Sequence, residues 1–426
     1  MTDTSSLRVI PAGASAAAGS AASTSSTSSG PSGSAPSGSG LSGSSDRSAP
    51  SWAGVVSLGL GVFALVMGEF LPASLLSRIA GDLGVSEGLA GQSVSVTAIV
   101  AAVAGLTVPV LLPRLDRRRV MLGLTGLAIV SDLLVALAPG FGVLLVARVL
   151  LGIAIGGFWA LAVSMTAQLV SPARLGRAMT VVNTGVSLAT VAAIPLGTWL
   201  GELWGWRWVF GLAALVGVAA FATQALLLPP VAPTGAPGFR PLAATLRSPL
   251  IILGLVATAL IAGGHFTGFT YIRPAAEAIG GFDPSGLAAL LLVYGIAAFA
   301  GNLVAGPLAD RRIGAAVLIF PVALGAAMLI FVTAGGSPAG AIAAVALWGV
   351  AFGAIPTTLM TWMARAEPER LESVGGLQVA AFQVAIAAGA VIGGVLTDGV
   401  GVAAALAAGG VAALAGGILL SALRRR

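Results

Sequence analysis

The chain has 426 residues, of which 57% are hydrophobic and 8% are charged, and it carries a net charge of +6. With a mean hydropathy of +1.01, this composition lies outside the range of soluble proteins and indicates a membrane protein. The absence of cysteine excludes disulfides and cysteine metal sites, and a single histidine does not support a histidine metal centre. The composition therefore predicts neither a metal nor a cofactor.

The chain begins with a polar segment. Residues 1–50 consist mainly of Ser, Gly, Ala and Pro, and such a composition cannot bury enough apolar surface to offset the entropy of ordering. Arg8 is followed only by Val9 and Ile10 before Pro11, which is too short for the apolar core of a secretory signal peptide. We therefore predict a disordered cytoplasmic tail over residues 1–50.

Twelve apolar segments follow the tail, each close to the roughly 20 residues that cross a bilayer as a helix. Their approximate bounds are 52–76, 90–112, 119–138, 142–165, 177–200, 206–228, 248–273, 286–306, 313–334, 338–363, 376–397 and 400–423. The stretch between the sixth and seventh segments contains five prolines and two arginines. Such a stretch is typical of a linker between two halves.

Arginine is distributed unequally between the predicted loops. If both termini are cytoplasmic, seventeen arginines lie on the inner side, and only Arg78, Arg207 and Arg273 lie on the outer side. Basic residues concentrate on the cytoplasmic side of membrane proteins. The distribution therefore predicts a multi-pass protein with both termini in the cytoplasm, and it explains the basic charge without a nucleic-acid partner.

The two halves of the chain resemble each other at an offset of roughly 195 residues. The matching positions are Gly68, Glu69 and Phe70 with Gly264, His265 and Phe266, Asp116 and Arg117 with Asp310 and Arg311, Gly152 and Gly156 with Gly349 and Gly353, and Glu202 with Asp398. Since six segments fall in each half, the repeat predicts two similar bundles around a central site. The predicted fold is an all-α membrane protein of twelve transmembrane helices, with an N-terminal six-helix bundle over 51–228, a cytoplasmic linker over 229–247 and a C-terminal six-helix bundle over 248–426.

The loops after the second and eighth segments each carry an Asp-Arg pair followed by further arginines, Asp116-Arg117 and Asp310-Arg311. An Asp at a helix start accepts hydrogen bonds from free backbone N–H groups, and an Arg can hold the carbonyls at a neighbouring helix end. The second copy resembles the short loop signature of the major facilitator superfamily, whereas the first copy has leucine in place of its glycine. This resemblance implies that the four residues form a conformational latch; the alternative is plain positive-inside charge.

Further residues extend the resemblance. Arg148, Gly152 and Gly156 match the pattern of proton-driven antiporters in that superfamily. Five further runs are Glu69–Pro72, Asp82–Gly88, Gly156–Trp159, Leu200–Glu202 and Thr270–Pro274. They resemble the bacterial purine ribonucleoside efflux pump family. The resemblance extends from about Trp52 to near the C terminus, and it implies a fold of the twelve-span drug:proton antiporter type in a bacterial inner membrane.

Four titratable or charged residues lie inside apolar segments: Glu69, Asp132, Arg148 and His265. Such residues are costly in a bilayer and usually mark functional interior sites. Counting 1.5 Å per residue from the outer segment ends places the first three at one depth of about 10 Å. We therefore predict that Glu69, Arg148 and Asp132 form a proton-coupling site, with a static ion pair as the alternative for Asp132.

Aromatic and amide side chains indicate where a flat solute could bind. The predicted substrate-binding residues are Trp159, Asn183, His265, Phe269 and Gln378. Aromatic planes beside hydrogen-bonding groups suit a nucleobase. The alternative is that these residues pack helices together, which is common for Phe, Trp, Asn and Gln in membrane bundles.

The sequence thus predicts a proton-coupled secondary transporter, not an enzyme, that exports purine ribonucleosides such as inosine and guanosine by proton antiport. Its expected partners are the substrate, protons and the lipid bilayer, and it is expected to be a monomer. A multidrug or sugar efflux antiporter is the alternative, because the scaffold signatures are common to many substrates. A membrane-embedded enzyme would need clustered catalytic groups, and only Glu69 and Asp132 come near that. A sensor would need a folded signalling domain, which the predicted disordered tail does not supply.

Overall fold

Helices run through every predicted apolar segment in the computed structural model, which describes residues 51–233 and 239–422. In chain order they are α1 (Trp52–Leu83), α2 (Glu87–Leu111), α3 (Arg117–Ala136), α4 (Phe141–Leu169), α5 (Leu175–Trp204), α6 (Trp206–Leu227), α7 (Arg240–Thr245), α8 (Pro249–Phe269), α9 (Ile272–Gly280), α10 (Pro284–Ala334), α11 (Pro338–Ala366), α12 (Leu371–Gly399) and α13 (Val402–Ala422). The described residues contain no strand, which confirms the all-α class. The predicted tail over 1–50 lies outside the described residues.

Short polar side chains fix where several helices begin. The Ser51 hydroxyl accepts a hydrogen bond from the Gly54 backbone N–H at 3.2 Å, and Asp116 accepts one from the Arg118 N–H at 2.8 Å. Such N-caps satisfy backbone donors that have no partner inside the helix. At the other end of α1, Gly84 has a φ of 64°, a left-handed conformation that glycine adopts without strain.

Helix lengths and composition fit the predicted spans. Ten helices in the described part of the chain are long and apolar enough to cross a membrane. One of them, α10, has 51 residues and contains Arg312 in a non-helical conformation with φ −146° and ψ 61°, so it consists of two helices. With α10 taken as two helices and the 30-residue α5 included, the structure accommodates the twelve predicted spans.

Several helix ends differ from the predicted spans by a few residues, and α1 differs most. Helix α1 continues to Leu83, beyond the predicted span end at residue 76, because a helix can extend past its apolar stretch; it ends where Gly84 adopts the left-handed conformation. The linker contains α7, and α9 follows α8 directly; both are short helices that hydropathy does not detect. These differences leave the order and number of the long helices unchanged.

The predicted repeat is present in the packing of α4 and α11. A Cβ on Gly152 or Gly156 would collide with the backbone of α2 at Thr97 or Ala101. Likewise, a Cβ on Gly349 or Gly353 would collide with the backbone of α10 at Tyr294 or Ala298. The two pairs of contacts correspond at a single offset along the chain, so each half builds the same close helix pair from the same glycines.

Each half has its own apolar core, and apolar side chains also cover the outside. Val62, Leu151 and Phe158 belong to the core of α1–α6, whereas Leu324, Phe331 and Leu406 belong to the core of α8–α13. Many large apolar side chains are exposed; Leu226, for example, is 83% exposed. A soluble protein rarely exposes so many, and in a membrane protein such faces contact lipid.

The halves contact each other mainly at one end of the bundle. Helices α2 and α4 pack on α12, and α5 packs on α10 and α11. A Cβ on Gly376 would collide with the backbone of Gly105, and one on Gly306 would collide with that of Gly176. We call this the basic end, because it holds the loops at 112–116, 170–174 and 367–370 with their arginines.

Candidate functional site

Arg148 lies buried in the N-terminal half, where three helices meet. Its side chain is 1% exposed, and its Nη1 donates a hydrogen bond to the Gly68 carbonyl on α1 at 2.9 Å. The guanidinium also lies over the Phe210 ring of α6, with its Cζ 5.3 Å from the ring centroid. These contacts hold the cation in place without neutralising it.

Two carboxylates lie close to this cation. Asp132 on α3 is 2% exposed and packs against Gly68, where a Cβ would be 2.8 Å from the Asp132 Oδ1. Glu69, the next residue on α1, is only half-buried. Arg148 interacts electrostatically with both carboxylates, although within the described residues neither forms a direct ion pair with it.

The structure therefore brings together the three residues predicted to lie at one depth. The helix itself extends to Leu83, while its apolar stretch ends at Pro72, close to the predicted span end at residue 76. Asp132 and Arg148 both contact Gly68, and Glu69 is the next residue on α1. We refer to Glu69, Asp132 and Arg148 as the charge triad.

His265, the counterpart of Glu69 in the C-terminal half, lies in an aromatic cluster. The imidazole is 1% exposed, and its Nδ1 accepts a hydrogen bond from the Trp348 indole N–H at 2.9 Å. Its ring stacks on Phe352 with centroids 3.4 Å apart and on Phe269 at 4.9 Å. Because Nδ1 is an acceptor here, the ring presents Nε2 as its N–H donor.

The other predicted substrate residues are distributed over both halves. Trp159 is half-buried against the N-terminal core. The buried Asn183 donates hydrogen bonds to the Met179 carbonyl and to the Thr357 hydroxyl of α11, each at 3.0 Å. Gln378 is buried and accepts a hydrogen bond from the Thr258 hydroxyl at 3.2 Å. In this conformation the two amides therefore join helices.

The Asp-Arg pair after α2 joins the halves at the basic end. Arg117 forms a bidentate pair with Glu372 of α12, with both N–O distances at 2.6 Å. Both side chains are buried. Asp116 caps its own helix, and Arg117 also donates to the Leu115 carbonyl at 3.3 Å. Arg117 also donates to the Leu112 carbonyl at the end of α2. In this copy Asp116 therefore accepts hydrogen bonds from backbone N–H groups and Arg117 donates to carbonyls, while the latch role stays a prediction.

The second Asp-Arg pair works differently. Asp310 lies inside α10 rather than at a helix start, and it accepts hydrogen bonds from the Gly176 and Arg177 backbone N–H groups of α5 at 2.7 and 3.1 Å. The Arg365 Nη2 of α11 lies 3.3 Å from the Asp310 Oδ1 and forms an ion pair with it. Arg311 is exposed and has no ion pair within the described residues. The contact between the halves thus uses Asp310, while the structure gives Arg311 no part in it.

Comparisons with known proteins identify the scaffold. A model of the Major Facilitator Superfamily matches residues 58–377. The chain belongs to this superfamily.

Individual relatives of this major facilitator protein span almost its whole length. The purine ribonucleoside efflux pump NepI of Escherichia coli K12 is 38% identical over 379 residues, covering 88% of this chain and 94% of that one. The transcription regulatory protein OpdE of Pseudomonas aeruginosa is 39% identical over 355 residues, covering 82% and 88%.

Solved structures show the same fold. The human organic anion transporter MFSD10 (TETRAN) has a TM-score of 0.70 at 20% identity, covering 88% of this chain and 100% of that one. The proton:xylose symporter XylE also has a TM-score of 0.70, at 13% identity, covering 87% and 94%. These structures show the fold; membership of the superfamily, the relatives above and the apolar helices show a multi-pass membrane transporter and not an enzyme.

Several residues of the site could not be selected from the sequence. Glu372 and Arg365 flank a loop rich in charge, and nothing local distinguishes them from other loop residues such as Glu369. Trp348 and Phe352 are four positions apart on α11, a spacing that apolar core residues share. Only their contacts with Arg117, Asp310 and His265 separate them from their neighbours.

Proposed function

We propose that this transporter exports purine ribonucleosides, such as inosine and guanosine, in exchange for protons. The charge triad carries this proposal. A cation and two carboxylates inside the bilayer are costly, and such residues usually mark the path of a substrate or proton. Here they lie in a chain similar to a nucleoside efflux pump over most of both lengths.

Glu69 is the proton carrier in this proposal. It is the least buried member of the triad, so protons from water reach it more readily than they reach Asp132. Arg148 favours the ionised carboxylate by electrostatic attraction, and protonation of Glu69 removes that attraction. The transporter then changes its preferred conformation according to whether Glu69 carries a proton.

The closed basic end defines the state of the transport cycle. Arg117 with Glu372 and Asp310 with the start of α5 hold the halves together there. With this end in the cytoplasm, as the arginine distribution predicts, the conformation is outward-facing. Glu69 would then take up a proton from outside as substrate leaves, and the return to the inward-facing state would carry the proton in.

The substrate is proposed to bind between the halves, near Trp159, Asn183, His265, Phe269 and Gln378. The aromatic rings supply stacking surfaces, and the His265 Nε2 supplies a hydrogen-bond donor. Amides that now join helices, such as Asn183, would exchange their partners as the halves move.

The proton gradient is sufficient for export. One proton moving through a potential of about 100 mV supplies ~2.3 kcal/mol, and one pH unit adds ~1.4 kcal/mol. Together they support a solute gradient of roughly 500-fold at ~1.4 kcal/mol per decade.

Uptake of labelled inosine into inverted membrane vesicles tests the proposal. Accumulation should require an imposed pH gradient and should collapse when the gradient is dissipated. Accumulation without a gradient would contradict antiport. No inosine movement under any gradient, together with movement of a drug or sugar, would favour the multidrug or sugar efflux alternative.

A regulatory role is a second candidate, because the relative from Pseudomonas aeruginosa is named a transcription regulatory protein. A transporter can alter transcription indirectly by setting the concentration of a regulatory solute. Transcript levels in a deletion strain complemented with wild type or with the Glu69→Gln variant separate the two roles. Equal complementation by both would point to regulation that is independent of transport.

A further inference from the structure

Three buried polar atoms of the charge triad have no hydrogen-bond partner in the described structure. They are the Asp132 Oδ1 and the Arg148 Nε and Nη2. A buried polar atom without a partner is costly, and the cost is greatest for charged groups. Both side chains contact Gly68, so a small movement would bring the unpartnered carboxylate oxygen and the unpartnered guanidinium nitrogens together.

The charges around Arg148 explain why two carboxylates are present. If Glu69 were its sole counter-ion, protonation of Glu69 would leave a buried cation without compensation, which is strongly unfavourable. Asp132 is the more deeply buried of the two carboxylates, and it also attracts Arg148 in this conformation. The cation therefore already has compensation from α3 while Glu69 on α1 is available to protons.

We infer that Asp132 is the reserve counter-ion of Arg148, and that it balances the arginine whenever Glu69 carries the transported proton. This rests on the proposed proton antiport and adds a positioning residue to it. The proton comes from external water and binds the Glu69 carboxylate. Arg148 then loses its attraction to Glu69 and pairs with Asp132, so the triad passes from a net charge of −1 to neutral.

No other charged group interferes with this exchange in the described part of the chain. Helix α3 packs on α4, α6 and α1. Among the charged residues of these helices, Arg148 acts on Asp132, and Glu69 acts on Arg148. Arg148 contacts α6 through the uncharged Phe210 ring. Arg207 of α6 is engaged at the outer end by Asp82.

The pH dependence of transport tests this assignment. In Asp132→Asn the full charge of Arg148 acts on Glu69, so Glu69 should require a higher proton concentration to become protonated. We expect half-maximal proton-driven transport to move to lower pH by about one unit, a tenfold change in proton concentration, as is typical for nearby charges. An unchanged midpoint or a shift to higher pH would overturn the inference.

Two further variants separate charge from packing. Ser131→Ala on the same helix removes the buried hydrogen bond to the Ala147 carbonyl without changing charge, and it should leave the midpoint unchanged. Gly68→Ala places a methyl carbon 2.8 Å from the Asp132 Oδ1, which is too close, so the carboxylate has to move. It should shift the midpoint in the same direction as Asp132→Asn.

A stability cycle tests the pairing without any substrate. Thermal unfolding of the detergent-solubilised protein is compared for Glu69→Gln, Asp132→Asn and the double variant. Either single variant leaves Arg148 one carboxylate, but the double variant leaves none, so its loss of stability should exceed the combined losses of the single variants. Adding Arg148→Gln to the double variant removes the unpaired cation and should restore part of the lost stability.

If the stability losses of the two single variants simply add in the double variant, the assignment of Asp132 as reserve counter-ion is overturned. If instead the cycle shows coupling but no proton-driven transport is found for any solute, the proposed function fails while the pairing stands.

Discussion

At the scale of single residues, Gly68 determines how many charges meet inside the N-terminal half. Because this residue has no Cβ, α3 can place the Asp132 carboxylate directly against α1. The Gly68 carbonyl meanwhile holds Arg148 from the other side. A glycine next to a titratable residue on a membrane helix thus makes room for a second acid.

Replacing Glu69 with glutamine should abolish accumulation driven by a pH gradient while sparing substrate binding and downhill exchange. Glutamine keeps the shape of the side chain but cannot bind and release a proton. Inosine transport in vesicles, measured with and without a gradient, checks this. Normal pH-driven accumulation in Glu69→Gln would show that the carrier is elsewhere, and His265 and Asp132 would be tested next.

Trp159→Ala and Asn183→Ala should have different effects. Loss of a stacking face at Trp159 should weaken apparent substrate affinity roughly two- to tenfold, as expected for ~0.5–1.5 kcal/mol. Asn183 bonds to Thr357 across the halves, so its loss should change the transport rate as well. The concentration dependence of nucleoside transport separates the apparent affinity from the maximal rate. If affinity is unchanged in both variants, the two side chains serve helix packing.

At the scale of helices, the starts of α5 and α12 close the basic end, and two unlike contacts achieve this. Helix α12 begins beside the buried pair of Glu372 with Arg117, whereas the backbone N–H groups that begin α5 receive the Asp310 carboxylate. An anion at a helix start is favoured by both hydrogen bonds and the helix dipole. The repeat therefore conserves the location of the closure but not its chemistry.

Glu372→Gln should open the basic end. Arg117 would keep its burial but lose its counter-charge, a strongly destabilising change for a buried pair. A cysteine replacing Val379, which is buried against Gly105 at the contact between α2 and α12, should then react several times faster with a thiol reagent, on the order expected for ~1 kcal/mol. Glu369→Gln is the matched control, because Glu369 is an exposed acid in the preceding turn. Equal reactivity in both variants would remove the latch role.

At the opposite end, α1 and α6 are joined by Asp82, Arg207 and Trp206. The hydrogen bond from Arg207 is the main reason that the pKa of Asp82 lies below its ordinary value of 3.8. Trp206 also donates to this carboxylate at 3.2 Å. The contact stabilises the folded state as long as Asp82 is ionised.

The sign of this pH dependence follows from the lowered pKa. Stabilisation by Asp82 is fully present when the pH is above the ordinary pKa of the carboxyl group. It disappears as the pH falls through the lower pKa of the folded state. The difference in melting temperature between wild type and Asp82→Asn should thus be constant from pH 7 to pH 5. It should narrow only below about pH 4. A difference that already narrows near pH 6 would contradict this account.

At the scale of the whole molecule, the closed basic end and the separate cores describe two bodies that meet at one side of the membrane. Rocking between two such states requires contacts that can be broken at moderate cost. At the basic end, polar pairs and glycine contacts lie beside small apolar clusters that both halves share, such as Val163 and Met179 with Ala364. The polar pairs can exchange their partners for water, which lowers the cost of breaking this contact.

Orientation can be measured directly, since the chain has no cysteine. Single cysteines at Arg240 and Val85 are treated with a membrane-impermeant thiol reagent in intact cells. We expect labelling at Val85 and none at Arg240, because the basic end should face the cytoplasm. Labelling at Arg240 but not at Val85 would reverse the topology, and permeabilised cells provide the control for reactivity.

The sequence by itself determined the membrane class, the helix order, the twofold repeat and the presence of three charged residues, Glu69, Asp132 and Arg148, inside apolar segments. Hydropathy is summed over adjacent residues, and helical rise is constant, so both can be read along the chain. The tertiary structure decided the partners. Arg117 and Glu372 are 255 positions apart, and only packing of the two halves brings them together. Packing also places Trp348 beside the His265 ring and the start of α5 beside Asp310. A buried polar group bonds to whichever donor or acceptor the fold places next to it, so these partners cannot be read from the local sequence.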